Sequence, residues 1–140
     1  MKKSLVREWM TTNITFIAPE TKLPEAHEIM KAENVRRLPV IDNNELTGIV
    51  TIGDIREALP SDATSLTMHE INFLLSNVPV EEIMTSHVLT TKPENSIQDV
   101  ALIMLNNKIG GLPVLNDDQE LVGIITESDI FRIVAAEPVD

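Results

Sequence analysis

Cysteine is absent from the chain, so disulfides, thiolate chemistry and Cys-based zinc sites are excluded. Aromatic residues are few: Trp9, Phe16, Phe73 and Phe131, with no tyrosine. The core therefore has to be built from Ile, Val, Leu, Met and Ala. Only five glycines are present, none in a Gly-x-Gly-x-x-Gly run, so no glycine-rich phosphate loop is encoded. No stretch approaches the roughly 18 consecutive apolar residues of a membrane span. The N-terminus, Met-Lys-Lys-Ser-Leu-Val-Arg-Glu-Trp-Met, lacks the apolar run of a signal peptide, and a soluble cytoplasmic location is the expectation. Positive charge is also scarce. The net charge of -11 makes nucleic acid a poor partner, because its binding rests on Lys and Arg neutralising phosphates. Any phosphate-bearing ligand would need a local cluster of cations.

Signatures of catalysis are missing too. His27, His69 and His87 are scattered with no metal-ligand spacing, and His27 reads as a core histidine on a buried helical face. The serines have no neighbouring base at a motif spacing, and the many carboxylates are accounted for by an acidic surface. No catalytic residue and no metal site is assigned.

What the 140 residues do contain is a repeat, with 43% apolar residues to build its cores. Val6, Glu8, Met10 and Thr11 recur as Val80, Glu82, Met84 and Thr85. Pro19-Glu20 recurs as Pro93-Glu94, Ile29-Met30 as Ile103-Met104, and Leu38-Pro39-Val40 as Leu112-Pro113-Val114. One inserted residue later, Gly48-Ile49-Val50-Thr51 recurs as Gly123-Ile124-Ile125-Thr126, and Asp54-Ile55 as Asp129-Ile130. The division that follows is a first domain over 1–60, a linker over 61–79 and a second domain over 80–140.

Each half reads β-α-β-β-α. Ile14–Ile17 and Val88–Thr91 are short β-branched stretches that predict first strands. Thr21 and Asn95 look like helix N-caps. Leu23, Ala26, His27 and Met30, and likewise Ile97, Val100, Ala101 and Met104, follow i, i+3, i+4, i+7 spacing and make one buried helical face. Leu38–Ile41 and Leu112–Leu115 predict second strands, with the prolines suggesting a strand start or edge. Polar turns lead to antiparallel third strands over Leu46–Val50 and Leu121–Ile125. Closing helices then run from about Ile52 to Leu59 and from about Glu127 to Ala135. In the connector from Pro60 to Pro79, Thr67-Met68-His69-Glu70 fits a capping box and starts a short helix. A half of about 55 residues buries too little surface to be comfortable alone, so the two are expected to pack together.

The informative motif is Gly48-Ile49-Val50-Thr51-Ile52-Gly53-Asp54, echoed by Gly123-Ile124-Ile125-Thr126-Glu127-Ser128-Asp129. It puts a hydroxyl and a carboxylate three residues apart where a strand becomes a helix. A carboxylate there can accept two hydrogen bonds from a ribose diol, and the Thr hydroxyl can meet a sugar or phosphate oxygen. The same Thr-x-x-Asp pattern is also a capping box, in which Thr caps the helix and Asp reaches back. The residues alone leave both readings open.

The ordered set of motifs resembles a CBS domain (cystathionine-β-synthase type) along nearly the whole of each half: Met-Thr, Pro-Glu, Leu-Pro-Val and Gly-h-h-Thr-x-x-Asp, with h apolar. Found twice, the set resembles a tandem CBS pair, or Bateman module. The resemblance implies an α+β fold of two β-α-β-β-α units packed about a pseudo-two-fold axis, and a regulatory, non-enzymatic role. It implies clefts that take an adenosine-containing ligand such as AMP, ADP, ATP, S-adenosylmethionine or a dinucleotide. Asp54 and Asp129 would then hold ribose hydroxyls, with Thr51 and Thr126 near ribose or phosphate. Ile49 and Ile124, with the backbone near Ile14 and Val88, would line the adenine slot, and Pro39 and Pro113 would lie beside it. Arg36-Arg37 precedes Leu38-Pro39 where family members that hold phosphates often carry a basic residue, whereas Gly110-Gly111 stands there in the second half. The two arginines have a plain alternative as solvated charges at a helix C-terminus.

The expected partners are a second copy, in a flat homodimer burying spare apolar residues such as Ile130, Phe131 and Ile133, and an unidentified effector protein. The alternative function is a dimerisation or scaffold module without a small-molecule ligand, in which the Thr-x-x-Asp motifs serve only as caps.

Overall fold

The computed structural model describes residues 4–59 and 66–136. The first part of the expected connector, residues 60–65, lies outside the described residues. Among the described residues the elements in chain order are α1 (Val6–Trp9), α2 (Leu23–Glu33), β1 (Arg37–Asp42), β2 (Glu45–Thr51), α3 (Ile52–Glu57), α4 (Met68–Leu75), a 3-10 turn (Val80–Glu82), α5 (Ile97–Asn107), β3 (Gly111–Leu115), β4 (Leu121–Thr126) and α6 (Glu127–Ala136). Among the described residues no helix is long and apolar enough to cross a membrane.

Local chemistry accounts for most element boundaries. In α2 the residues Leu23, Ala26 and Met30 form the buried stripe, with His27 only half-buried. In α5 the stripe is Ile97, Val100 and Met104. Both helices end alike: Asn34 and Lys108 turn into the left-handed region, and the next N–H bonds back to Met30 and Met104 respectively. The start of each helix lies one residue later than the sequence suggests. Lys22 and Ser96 occupy the N-cap positions, and Ser96 Oγ accepts from the Asp99 N–H. Thr21 Oγ1 instead accepts from the Ala18 N–H, and Asn95 donates to the buried Thr91 hydroxyl, so both side chains tie down the preceding turn. The expected capping box of α4 is present, Thr67 and Glu70 each bonding the other's backbone N–H.

The core of each sheet is an antiparallel hairpin, β1 with β2 and β3 with β4, and both carry a register shift at the same place, after Val40 and after Val114. The β1–β2 turn is the residue pair Asn43-Asn44, both at positive φ, as a two-residue hairpin requires. The inserted residue of the second half is absorbed in the longer turn before β4. There Asn116 Oδ1 accepts from the N–H groups of Asp118 and Glu120.

The predicted first strands shrink to one bridging residue each, Ile17 beside Val40 and Thr91 beside Val114, both parallel. This explains the prolines. The bridge uses the carbonyl of Pro39 and the N–H of Ile41, and its counterpart the carbonyl of Pro113 and the N–H of Leu115. The missing proline N–H thus forfeits no ladder bond, and Pro39 and Pro113 sit inside their strands rather than at a start or edge.

The compact units do not coincide with the sequence halves. One unit is Thr15–His87; the other joins the described residues up to Ile14 with those from Val88 onward. The chain segment that opens each repeat is built into the other repeat's body. In the first unit, Val80 donates to Thr21, Glu81 to Pro19, and Leu23 to Val78. In the second, Val6 donates to Asn95, Arg7 to Pro93, and Ile97 to Ser4. The divisions 1–60, 61–79 and 80–140 therefore describe sequence units, and the packing units trade their leading segments.

Side-chain packing follows the same exchange. Val80 is fully buried among Leu23, Ala26, Met30, Leu38, Val40 and Val50, and Val6 among Ile97, Val100, Leu112, Val114 and Ile125. Ile133 is likewise consumed by its own core, with Ile130 packed against it, while Phe131 stays 67% exposed. The exchanged segments also extend the sheets: Thr85 and Ile49 exchange two backbone hydrogen bonds, as do Thr11 and Ile124. At these contacts the preceding methionine lies flat on a glycine. A Cβ added to Gly48 would collide with the sulfur of Met84, and one added to Gly123 with the sulfur of Met10. Gly48→Ala and Gly123→Ala are each expected to cost about 1–3 kcal/mol through overpacking, read as a lower denaturation midpoint. Met84→Ala in the Gly48→Ala background should recover part of that loss. A double-mutant cycle showing less than about 0.5 kcal/mol of coupling would contradict the contact.

Candidate functional site

The site is built where β2 hands over to α3. Thr51 ends the strand with extended backbone and serves as N-cap: its Oγ1 accepts from the Asp54 N–H at 3.1 Å. Asp54 returns the bond, Oδ2 accepting from the Thr51 N–H at 2.8 Å. The capping-box reading of Thr-x-x-Asp is therefore real at this position. It uses only one of the carboxylate oxygens. Among the described residues no donor meets Asp54 Oδ1, and the side chain is only half-buried.

The hairpin brings the arginines to the same place. Arg37 lies directly across the ladder from Thr51, and Pro39 across from Ile49. Two residues apart along each strand, these pairs lie on one face of the hairpin. The Ile52 N–H, left over at the helix start, donates to the carbonyl of Arg36 at 2.9 Å, which anchors the arginine pair beside the Thr51 cap. Arg36 itself is exposed and Arg37 half-buried. Thr51, Asp54, Ile49, Pro39, Arg36 and Arg37 are thus gathered by one hairpin and one helix turn. Ile14 is the residue immediately before this unit begins at Thr15, at the end of the leading segment.

The second repeat reproduces the frame with different contents. Gly111 lies across from Thr126 and Pro113 across from Ile124, and the Glu127 N–H donates to the carbonyl of Gly110 at 3.0 Å. Val88 belongs to this unit, three residues before the Thr91 bridge. Asp129 Oδ2 accepts from the Thr126 N–H at 2.9 Å and from its hydroxyl at 3.3 Å. Its Oδ1 is held by Arg132 Nη1 at 2.7 Å. Asp129 is buried at 4% exposure, with every polar side-chain atom satisfied. Arg132 did not emerge from the motif reading, although its signal was available: an acid and a base at i, i+3 on one helix meet on its surface.

Each unit therefore carries a hairpin that delivers a hydroxyl and a carboxylate to a helix start, and the pattern occurs once per repeat. The CBS domain model matches residues 6–61 and again 80–136, and the chain belongs to the CBS-domain family as a tandem pair. It is similar to protein MJ1225 of Methanocaldococcus jannaschii, at 33% identity over 96% of this chain and 48% of that protein. Its fold is similar to the CBS domain pair of protein MJ0100 in complex with 5′-methylthioadenosine and S-adenosyl-L-methionine. The TM-score is 0.80 at 27% identity, covering 97% of this chain and 99% of that one. It is also similar to CBSX2, an Arabidopsis thaliana CBS-pair protein, in complex with AMP: TM-score 0.76, 30% identity, 94% of this chain and 96% of that one. The chain spans about half the length of MJ1225 and a quarter or less of several enzymes that it matches in part.

The cap at Thr51 makes a stability prediction separate from any ligand. Thr51→Ala is expected to lower unfolding free energy by about 0.5–2 kcal/mol, and Thr51→Ser, which keeps the acceptor, by much less. Urea denaturation of the two variants checks this.

Proposed function

We propose that this CBS pair is a ligand-sensing regulatory module that takes an adenosine-containing ligand at the Thr51–Asp54 junction and signals to a partner protein. The ligand class is AMP, ADP, ATP or S-adenosylmethionine. One observation carries the reading: among the described residues Asp54 keeps a carboxylate oxygen unengaged at the cap formed with Thr51, and Arg37, next to Arg36, faces Thr51 across the ladder in an otherwise strongly acidic chain. A helix cap has no use for that arrangement, whereas a ribose diol needs the acceptor and a phosphate needs the cations. The adenosine ligands of the MJ0100 pair and of CBSX2 support the class. No catalytic step enters this reading: the ligand acts by favouring one state of the protein through differential affinity.

Ligand at about a hundred times its Kd is expected to add roughly 2.7 kcal/mol of stability, a melting shift of at least about 5 °C at this chain length. Asp54→Ala should weaken AMP binding about 10- to 150-fold, the loss of about 1.5–3 kcal/mol of charge-assisted hydrogen bonding. Thermal shift and titration calorimetry with AMP, ADP, ATP and S-adenosylmethionine test both. No shift with any of them at millimolar concentration would favour the scaffold reading.

A second copy is the proposed structural partner. Leu102, Leu105, Phe131 and Val134 are 50%, 73%, 67% and 55% exposed on α5 and α6. Those helices line a groove of about 460 Å³ with Lys108 and Glu127 among its walls. At the equivalent positions of the first repeat stand Glu28, Lys31, Arg56 and Leu59, so the fold itself does not need three of these four apolar residues. A two-fold-related copy would cover the face and offer each of Lys108 and Glu127 an opposite charge. Light scattering should show a dimer at tens of micromolar (about the working range for a stable association) that Leu105→Glu with Phe131→Glu converts to monomer. A monomeric parent chain would refute it.

A further inference from the structure

The two Thr-x-x-Asp positions differ in what holds the carboxylate, and the difference lies in a single side chain. At Asp129 both oxygens are engaged, Oδ2 by the backbone and hydroxyl of Thr126 and Oδ1 by Arg132 at 2.7 Å. At Asp54, among the described residues, only Oδ2 is engaged. A ribose diol presents two O–H donors and needs open acceptor positions to receive them. The residue that corresponds to Arg132, three beyond the aspartate in the first repeat, is Glu57, which has no donor to offer.

The cations that meet the cap differ in place between the two repeats, although α3 also carries Arg56 in its last turn. In the first repeat they stand on the strand side, at Arg36 and Arg37, where Arg37 faces Thr51 across the ladder. In the second repeat the strand side is Gly110-Gly111, and the cation stands on the helix side, bonded to the carboxylate itself. Asp129 is 95% sequestered in that pair while Arg132 remains 67% exposed, so the guanidinium closes the carboxylate from the solvent side.

We infer that Arg132 is the residue that sets the selectivity between the two positions: it occupies Asp129 and so excludes a ribose diol from the second repeat, leaving the Asp54 position as the one that takes the nucleoside. The inference rests on the adenosine reading above. The second junction is then a locked copy of the first, and one substitution in the second repeat, at a residue that belongs to the other compact unit from Asp54, is expected to open it. Arg132 acts through Asp129 and is a positioning residue.

The probe is adenosine, which carries the diol but no phosphate, so removing a cation does not alter a phosphate attraction. The full chain with Asp54→Ala reports the second position alone. In that background Arg132→Met, which keeps the apolar stem and removes the guanidinium, is expected to tighten adenosine binding about tenfold, the weight of one charge-assisted hydrogen bond no longer displaced. Arg132→Lys restores a cation and should return most of the block, and Arg132→Ala repeats the test with a strong helix former. A purely structural arginine would change the melting temperature but would not tighten binding. Unchanged or weaker adenosine binding in both Arg132→Met and Arg132→Ala, with adenosine still bound by the parent chain through Asp54, overturns the lock and leaves the sensing reading in place. Failure of the parent chain and every variant to bind adenosine, AMP or S-adenosylmethionine overturns both.

Discussion

The backbone pairing of Ile49 with Thr85, and of Ile124 with Thr11, is the interaction on which the rest depends. Each pair ties the segment that opens one repeat to the last strand of the other, two residues before the threonine at the strand–helix junction. The methionine before each threonine lies on a glycine in that strand, and only glycine leaves room for it. Val6 and Val80, buried deeper along the same segments, complete cores that the sequence halves leave open. Neither half holds its own leading segment, so neither has its full core without the other stretch of chain. That is a physical reason for the repeat to occur as a pair.

In the proposed reading the junction that results serves two purposes with the same atoms. Helix starts leave N–H groups without partners, and the sequence answers with a hydroxyl at the cap and a carboxylate one turn on. At Thr51–Asp54 the answer uses one carboxylate oxygen and leaves the other, so capping and ligand contact are compatible rather than competing readings. At Thr126–Asp129 the added arginine takes the remaining oxygen. Duplication supplied two equal frames, and the placement of cations around them made them unequal: strand side in one, helix side in the other. The same divergence runs through the helices, where Glu28, Lys31 and Arg56 of the first repeat stand against Leu102, Leu105 and Phe131 of the second.

Much of this was legible in the sequence. The repeat register, the helical stripes of α2 and α5, the hairpins and the capping box of α4 all follow from short-range rules of periodicity, turn residues and caps. The places where the reading slipped share a cause. Thr21 and Asn95 have cap chemistry, but their side chains bond to the turn behind them, because the neighbours Lys22 and Ser96 are the residues that the docking segments 78–80 and 4–6 fix in extended form. Pro39 and Pro113 look like edge markers, yet a parallel bridge happens to need only their carbonyls.

By itself the sequence determined that this is a duplicated α+β protein without cysteine chemistry, with a hydroxyl and a carboxylate presented at two strand–helix junctions and an arginine pair ahead of the hairpin in only the first repeat. Those features are local, and local spacing encodes them. Only the tertiary structure decided which segment completes which core, that Arg37 faces Thr51, and that Arg132 closes Asp129 while Asp54 keeps an oxygen unengaged among the described residues. Those outcomes depend on residues brought together across long stretches of chain, or on which of several bonds a side chain makes once its surroundings are packed, and no periodicity records either.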